Sequence, residues 1–154
     1  MSHPRNEQGC PFDPPRIQAA EYADDGEFAA LYNVAPVLPG HSLVVPRRHV
    51  GRLGALTDDE VCRLFMFARR ITEFLLSRFN ADGFDWTIQD GTSAGQTVDH
   101  VHLHVIPRQP RDLPSPGDWH TRVIDSHLRQ PLSDAELNVI VTSLRHSYFT
   151  ITTT

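Results

Sequence analysis

His100-Val101-His102-Leu103-His104-Val105-Ile106-Pro107-Arg108 is the stretch on which the reading of this chain turns. Three histidines fall at i, i+2 and i+4, each followed by an apolar residue. A strand has period two, so this spacing puts three imidazoles on one face and Val101, Leu103 and Val105 on the other. One face packs into a core; the other presents three rings to a cleft. With nine histidines among 154 residues, such a row rarely arises by chance. Immediately upstream, Gln89-Asp90-Gly91-Thr92-Ser93-Ala94-Gly95-Gln96-Thr97-Val98 is a small, polar loop rich in free backbone N–H groups. Donors next to nucleophilic imidazoles point to chemistry on an anion.

Working outward, Ser42-Leu43-Val44-Val45-Pro46 is a short continuous apolar run, expected as a central strand buried on both faces. Ile17 to Tyr22 and Glu27 to Asn33 flank an Asp25-Gly26 turn and are expected as a hairpin. Thr57-Asp58-Asp59-Glu60 is a capping box opening a helix. Val61, Leu64, Phe65, Ala68, Ile71, Leu75 and Leu76 continue it at three- to four-residue spacing to about Phe79, as a core-facing stripe. Asn80-Ala81-Asp82-Gly83 stops it, and Phe84 to Asp90 is expected as a strand. Gln109 to Gly117, with three prolines, is a loop. Ser133 and Glu136 cap a second helix running to about Ser147. The order predicts an α+β domain: a mainly antiparallel five-stranded sheet with two helices. The proline-rich residues 1–16 form an N-terminal arm, and residues 17–154 a single domain.

Composition sets bounds. Hydrophobic residues make up 40% of the chain and charged residues 21%, ordinary values for a globular protein. A net charge of −5 without a basic run argues against broad binding to nucleic acid, so any phosphate must be held by a few placed groups. No segment approaches the length of a membrane span, and the first residues lack the apolar core of a signal peptide. Two cysteines, Cys10 and Cys62, fit a reducing, cytoplasmic setting better than a disulfide scaffold.

Nucleophilic attack on phosphorus needs an unprotonated nitrogen near neutral pH, and histidine titrates there. His102, restrained by neighbours on both sides, is the best placed. If a backbone carbonyl accepts its Nδ1–H, Nε2 is left as a lone pair facing the cleft. Three adjacent imidazoles disfavour full protonation, so at least one stays neutral while a protonated neighbour could assist the leaving group. The Gly91–Thr97 loop supplies backbone N–H groups, with Gln96 and Thr97 side chains, to non-bridging oxygens. His-x-His on a strand is also how zinc enzymes place ligands, so geometry alone leaves metal and phosphate both open.

His100 to Ile106 resembles the His-φ-His-φ-His-φ-φ signature of the histidine triad superfamily of nucleotide hydrolases and transferases. Gln89-Asp90-Gly91 with Ala94-Gly95-Gln96-Thr97-Val98 resembles its fragile-histidine-triad branch, as do Phe28 to Asn33 and Pro36 to His41 upstream. The resemblance implies a homodimer whose two sheets join into one. It implies that His102 attacks the α-phosphorus of a dinucleoside polyphosphate or adenylated conjugate, giving a nucleotidyl-histidine that water hydrolyses. By the same resemblance His100 and His104 orient His102 and contact phosphate, with Thr97 beside them. Gln89, Gly95, Gln96, Thr97 and Val98 line the phosphate and leaving-group site, Asn33 meets the ribose and His41 closes the pocket. No cofactor is tightly bound; magnesium arrives on the substrate's phosphates.

A triad-fold protein that binds adenine nucleotides with little turnover is the alternative. Two departures from the pattern matter. The branch carries a tyrosine in the loop after the triad strand, and Gln109 to Pro131 contains none. Other branches carry Cys-x-x-Cys where this chain has Cys10-Pro11-Phe12-Asp13, and bind structural zinc with histidines at the positions of His49 and His100. Asp13 can stand in as an oxygen ligand, but one thiolate fewer weakens the site. The expectation there is a loose arm and a surface histidine rather than zinc. Trp119 and His120, in the long loop, are candidates for contact with a base.

Overall fold

The computed structural model describes residues 9–153. Five strands form one sheet: β1 (Glu21–Asp24), β2 (Phe28–Tyr32), β3 (Ser42–Pro46), β4 (Gly83–Thr87) and β5 (Leu103–Arg108), in the order β1-β2-β3-β5-β4 with every neighbouring pair antiparallel. Helix α1 (Asp58–Phe79) lies between β3 and β4 in sequence, and α2 (Asp118–Ile124) and α3 (Asp134–Thr152) follow β5. The expected α+β architecture is present, with one helix more than expected. Among the described residues, no helix is long and apolar enough to cross a membrane.

Both long helices start where their capping boxes lie. Thr57 Oγ1 accepts from the Glu60 N–H while the Glu60 carboxylate accepts from the Thr57 N–H, and Ser133 and Glu136 repeat the exchange. Helix α1 ends at Asn80, which takes the left-handed conformation at φ 49°. Its buried stripe, Leu64, Phe67, Ala68, Ile71 and Leu75, packs on one face of the sheet with Phe28, Ala30, Val44, Val101, Leu103 and Val105. Burial of each such side chain is worth about 1.5–3 kcal/mol, so this layer is the main source of cohesion.

Alternation along the strands sends the other set of side chains to the opposite face. Ala29, Leu31, Leu43 and Val45 form a smaller cluster there with Ile17, and half-buried Phe12 and Ala20 pack against it. Register runs a row straight across this face: Leu31 opposite Leu43, Leu43 opposite His104, and His104 opposite Thr87. The functional site is built on this side.

Three expectations are corrected. Ile17 to Tyr22 is not one strand: Arg16–Ala19 is a 3-10 turn and β1 starts only at Glu21. The histidines do not all lie within a strand, because β5 begins at Leu103, and His100 and His102 stand in the segment leading into it. Their alternation survives, since Val101, Leu103 and Val105 enter the helix-side core. Residues 118–124, expected as loop, form α2. Of the N-terminal arm, residues 1–8 lie outside the described residues, and Phe12 packs against the rings of His100 and His102.

Candidate active site

All three histidines of the row are buried, and each is held differently. The His102 Nδ1–H donates to the carbonyl oxygen of His100 at 2.7 Å, which leaves Nε2 as an unprotonated lone pair. Burial lowers the His102 pKa; the bond to the His100 carbonyl works against that shift, and the neighbouring ring charge adds to it. The neutral, attacking form is therefore the ordinary one near pH 7.

His104 is aimed by a relay through His41. The Val37 N–H donates to His41 Nδ1 at 3.0 Å, so the His41 proton sits on Nε2. That proton points to His104 Nδ1, 2.9 Å away, and the His104 proton is consequently on Nε2. Burial pushes His41 down to about 3, helped by the positive charge of Arg129, and drives His104 well below its usual range. His104 thus offers an N–H donor where His102 offers a lone pair. Asn33 Oδ1 accepts from the Ala35 N–H at 2.9 Å, which fixes the amide orientation. Its nitrogen lies 3.3 Å from His41 Nε2, itself a donor, so the Asn33 N–H groups stay available to a third partner.

A cavity of about 290 Å³ opens onto these groups. Asn33, Gln89, Gly95, Thr97, Val98, His102 and His104 all line it. Phe12, Ala20, Leu31 and Leu43 supply an apolar end suited to a flat ring, and Val123, Ser126 and Arg129 contribute from α2 and the turn after it. Gly95 takes φ +90°, and a Cβ there would meet Ile124 Cδ1 at 3.0 Å. Its bare backbone lets α2 close onto the loop.

Five candidates lie elsewhere than expected. Gln96 does not line the cavity: its Oε1 accepts from the Gly91 N–H at 2.6 Å and its Nε2 donates to the carbonyls of Gly51 and Val98. It shapes the loop and has no polar atom left for phosphate. His41 is fully buried behind His104 and acts through it rather than closing the pocket. His100 faces away: its Nε2–H donates to the Pro46 carbonyl at 2.7 Å, and its Nδ1 looks toward Cys10 Sγ at 3.4 Å and Asp13 Oδ1 at 3.3 Å. Trp119 and His120 meet edge to face on α2 and do not line the cavity.

Ligating atoms of Cys10, Asp13, His49 and His100 all lie within 4.8 Å of one another. With Nε2 of His100 committed to Pro46, Nδ1 is an acceptor, and it confronts a carboxylate oxygen, another acceptor. A cation between them resolves that conflict, and a thiolate, a carboxylate and two imidazoles form a donor set suited to zinc. The loose arm expected for Cys10 and Asp13 is here folded onto His49 and His100. Among the described residues this is the only such cluster, and of the triad it takes His100 alone.

Comparison with known proteins agrees with this architecture. The HIT domain matches residues 16–111. A bis(5'-adenosyl)-triphosphatase of Dictyostelium discoideum is 42% identical over 116 residues, 75% of this chain and 76% of that protein. The chain belongs to the HIT family. Another HIT relative, a bis(5'-nucleosyl)-tetraphosphatase (asymmetrical) of Schizosaccharomyces pombe, is 48% identical over 85 residues, 55% of this chain but 47% of its own length. Among solved structures, a Zn-bound histidine triad family protein from Mycobacterium smegmatis superposes with a TM-score of 0.66 at 27% identity, covering 86% of each chain.

Sequence reasoning missed Phe12, Val123, Ser126 and Arg129 in the HIT cavity. Phe12 sits in a proline-rich arm with no period to read, and the other three lie in a stretch without a motif. Only packing reveals them.

Proposed function

We propose that this protein is a nucleotide hydrolase that cleaves the α-phosphate linkage of dinucleoside polyphosphates through a covalent histidine intermediate. One observation carries the reading: the His100 carbonyl holds the His102 Nδ1–H, so that Nε2 is a lone pair in a cavity already lined by phosphate-type donors. Nε2 attacks the α-phosphorus, and the bond to the bridging oxygen breaks, that oxygen leaving with its electron pair on the remaining phosphates. The His104 Nε2–H and the backbone N–H groups of Thr97 and Val98 take up charge on the oxygens, those of Gly95 and Gln96 being already bonded to the carbonyls of Thr92 and Gly91. Water then attacks the same phosphorus, the P–N bond breaks, a proton goes to solvent and His102 is restored. Magnesium enters on the substrate's phosphates. The relatives named for diadenosine and dinucleoside polyphosphates support the substrate class.

The test is hydrolysis of diadenosine triphosphate by wild type, His102→Ala and His102→Asn, with the nucleotidyl-histidine sought by mass spectrometry after rapid quench. Loss of turnover by about 10³-fold or more, with the folded state retained and the adduct on His102 alone, is the expected result. Wild-type turnover in His102→Ala refutes the reading.

We also propose that Cys10, Asp13, His49 and His100 hold a structural zinc ion. The support is the paired acceptors of Asp13 and His100, and a zinc-bound relative of the same fold. The ion would fasten the arm to the triad segment and takes no part in the chemical steps.

The proposed assembly is a dimer joined through β4, the terminal strand at one end of the sheet. Phe84 on that strand and Met66 on α1 are exposed, and Trp86 stacks between Phe84 and Phe65. An apolar edge of this kind needs a partner. Sedimentation of wild type against Phe84→Glu tests it: a shift from dimer to monomer is expected, and an unchanged mass refutes it.

A further inference from the structure

Arg129 is a charge without a counter-charge. Arg52, near the Gly91 turn, pairs with Asp90 at 2.6 Å, and Arg108 at the end of β5 pairs with Asp85 and Asp112. Among the described residues no acid pairs with Arg129, and burial alone shifts its guanidinium downward. Its Nη1–H donates to the Ala35 carbonyl at 2.6 Å, which anchors the guanidinium beside the Asn33 turn across 94 residues of sequence. Its Nε–H is buried and has no hydrogen-bond partner. A buried donor left unmade costs free energy, more so when it carries charge. Nearby His41 and His104 are both kept neutral, so neither brings positive charge to the cavity.

Position narrows the role. Arg129 lines the cavity that holds His102 and His104, and it also lines an adjoining cleft of about 430 Å³ with Thr121, Arg122 and Asp125. The α-phosphate belongs against His102 and the Gly95–Val98 loop. Arg129 is shared by the two cavities, so a chain of phosphates running on from that point into the second would pass it. The cleft also brings one further cation, Arg122, and one carboxylate, Asp125, so that its net positive charge is that of Arg129.

We propose that Arg129 binds the phosphates beyond the scissile bond and so makes the enzyme selective for anionic leaving groups. This rests on the hydrolase reading above and adds the residue that reads the departing group. The guanidinium meets non-bridging oxygens of the leaving phosphates, and its orphaned Nε–H gains its partner from them. A substrate whose leaving group is a neutral amine makes no such contact.

The experiment compares wild type, Arg129→Gln and Arg129→Lys on diadenosine triphosphate and on an AMP–amine phosphoramidate, after checking that melting temperatures agree. For Arg129→Gln, kcat/KM on diadenosine triphosphate should fall about 50-fold while that on the phosphoramidate stays within about threefold. Arg129→Lys should recover part of the loss. Equal losses on both substrates would mean that Arg129 only supports the Ala35 turn, and no loss on either would mean that it has no role; each overturns the proposal. Calorimetric titration with ADP and AMP gives a readout that needs no turnover. Wild type should prefer ADP, and Arg129→Gln should lose that preference with AMP affinity unchanged. If wild type hydrolyses neither substrate, the hydrolase reading falls, and the ADP preference still decides Arg129: its persistence in Arg129→Gln refutes the assignment.

Discussion

Acidification should destabilise this protein through His41, by an amount that follows from how the ring is buried and bonded. His41 is fully buried, accepts from the Val37 N–H on Nδ1 and donates to His104 from Nε2. A second proton can go only on Nδ1, where it would face the Val37 N–H, donor against donor. In the unfolded chain the ring has its ordinary pKa of about 6.5; in the fold it is pushed down to about 3. Between those values the unfolded state binds the extra proton and the native state does not. Stability therefore rises with pH across this window, and is lost as pH falls below about 6.5. Integrating from pH 7.5 to pH 5.0 gives a loss of about 2 kcal/mol from this ring alone. The assay is urea denaturation at both pH values for wild type and His41→Gln, which cannot titrate. His41→Gln should start less stable, yet lose about 2 kcal/mol less between the two pH values. The release of His104 from His41's charge works in the same direction. If the two proteins lose equal stability on acidification, the tautomer chain from Val37 through His41 to His104 is wrong.

Other perturbations test separate layers. Gly40 holds φ +89°, and a Cβ there would stand 2.5 Å from Pro107 Cγ and 2.9 Å from Phe79 Cδ2. Gly40→Ala should cost roughly 2–5 kcal/mol in chemical denaturation, from left-handed strain plus overpacking. Buried Thr72 accepts from the Trp86 Nε1–H at 2.9 Å while donating to the Ala68 carbonyl. Thr72→Val should cost roughly 1–3 kcal/mol and shift the Trp86 fluorescence, because the indole N–H loses its partner. Metal analysis should find zinc at about one equivalent, absent in His49→Ala. A chelator should lower the melting temperature of wild type and leave that of His49→Ala unmoved.

What could be read from the sequence was local. Helix α1 follows from Thr57, Glu60 and a stripe repeating every turn, and the fold class from apolar runs punctuated by Gly and Pro. The row of histidines was visible because strand geometry makes i, i+2, i+4 a physical neighbourhood. Groups joined over long distances were not. Arg129 meets Ala35 across 94 residues, and Cys10 meets His100 across 90. No periodicity records either meeting. Helix α2 was hidden for a different reason: Val123 is its only buried residue, so it carries no apolar stripe to read. Gln96 and His41 were recognised as special, yet their hydrogen bonds commit them to the scaffold. A polar residue that builds a loop and one that grips a ligand look alike until every donor and acceptor has been assigned.

His100 occupies a junction between two distant parts of the chain. Its ring looks outward to Cys10 and Asp13, and its carbonyl looks inward to the proton of His102. Phe12 leans on both rings at once. The first residues of the fold therefore work as a gun mount for a nitrogen some ninety positions later, and slack in the mount becomes error in the aim. Trimming the chain through Asp13 should spoil catalysis before it spoils folding, since Phe12 packs against the smaller cluster and not the helix-side core.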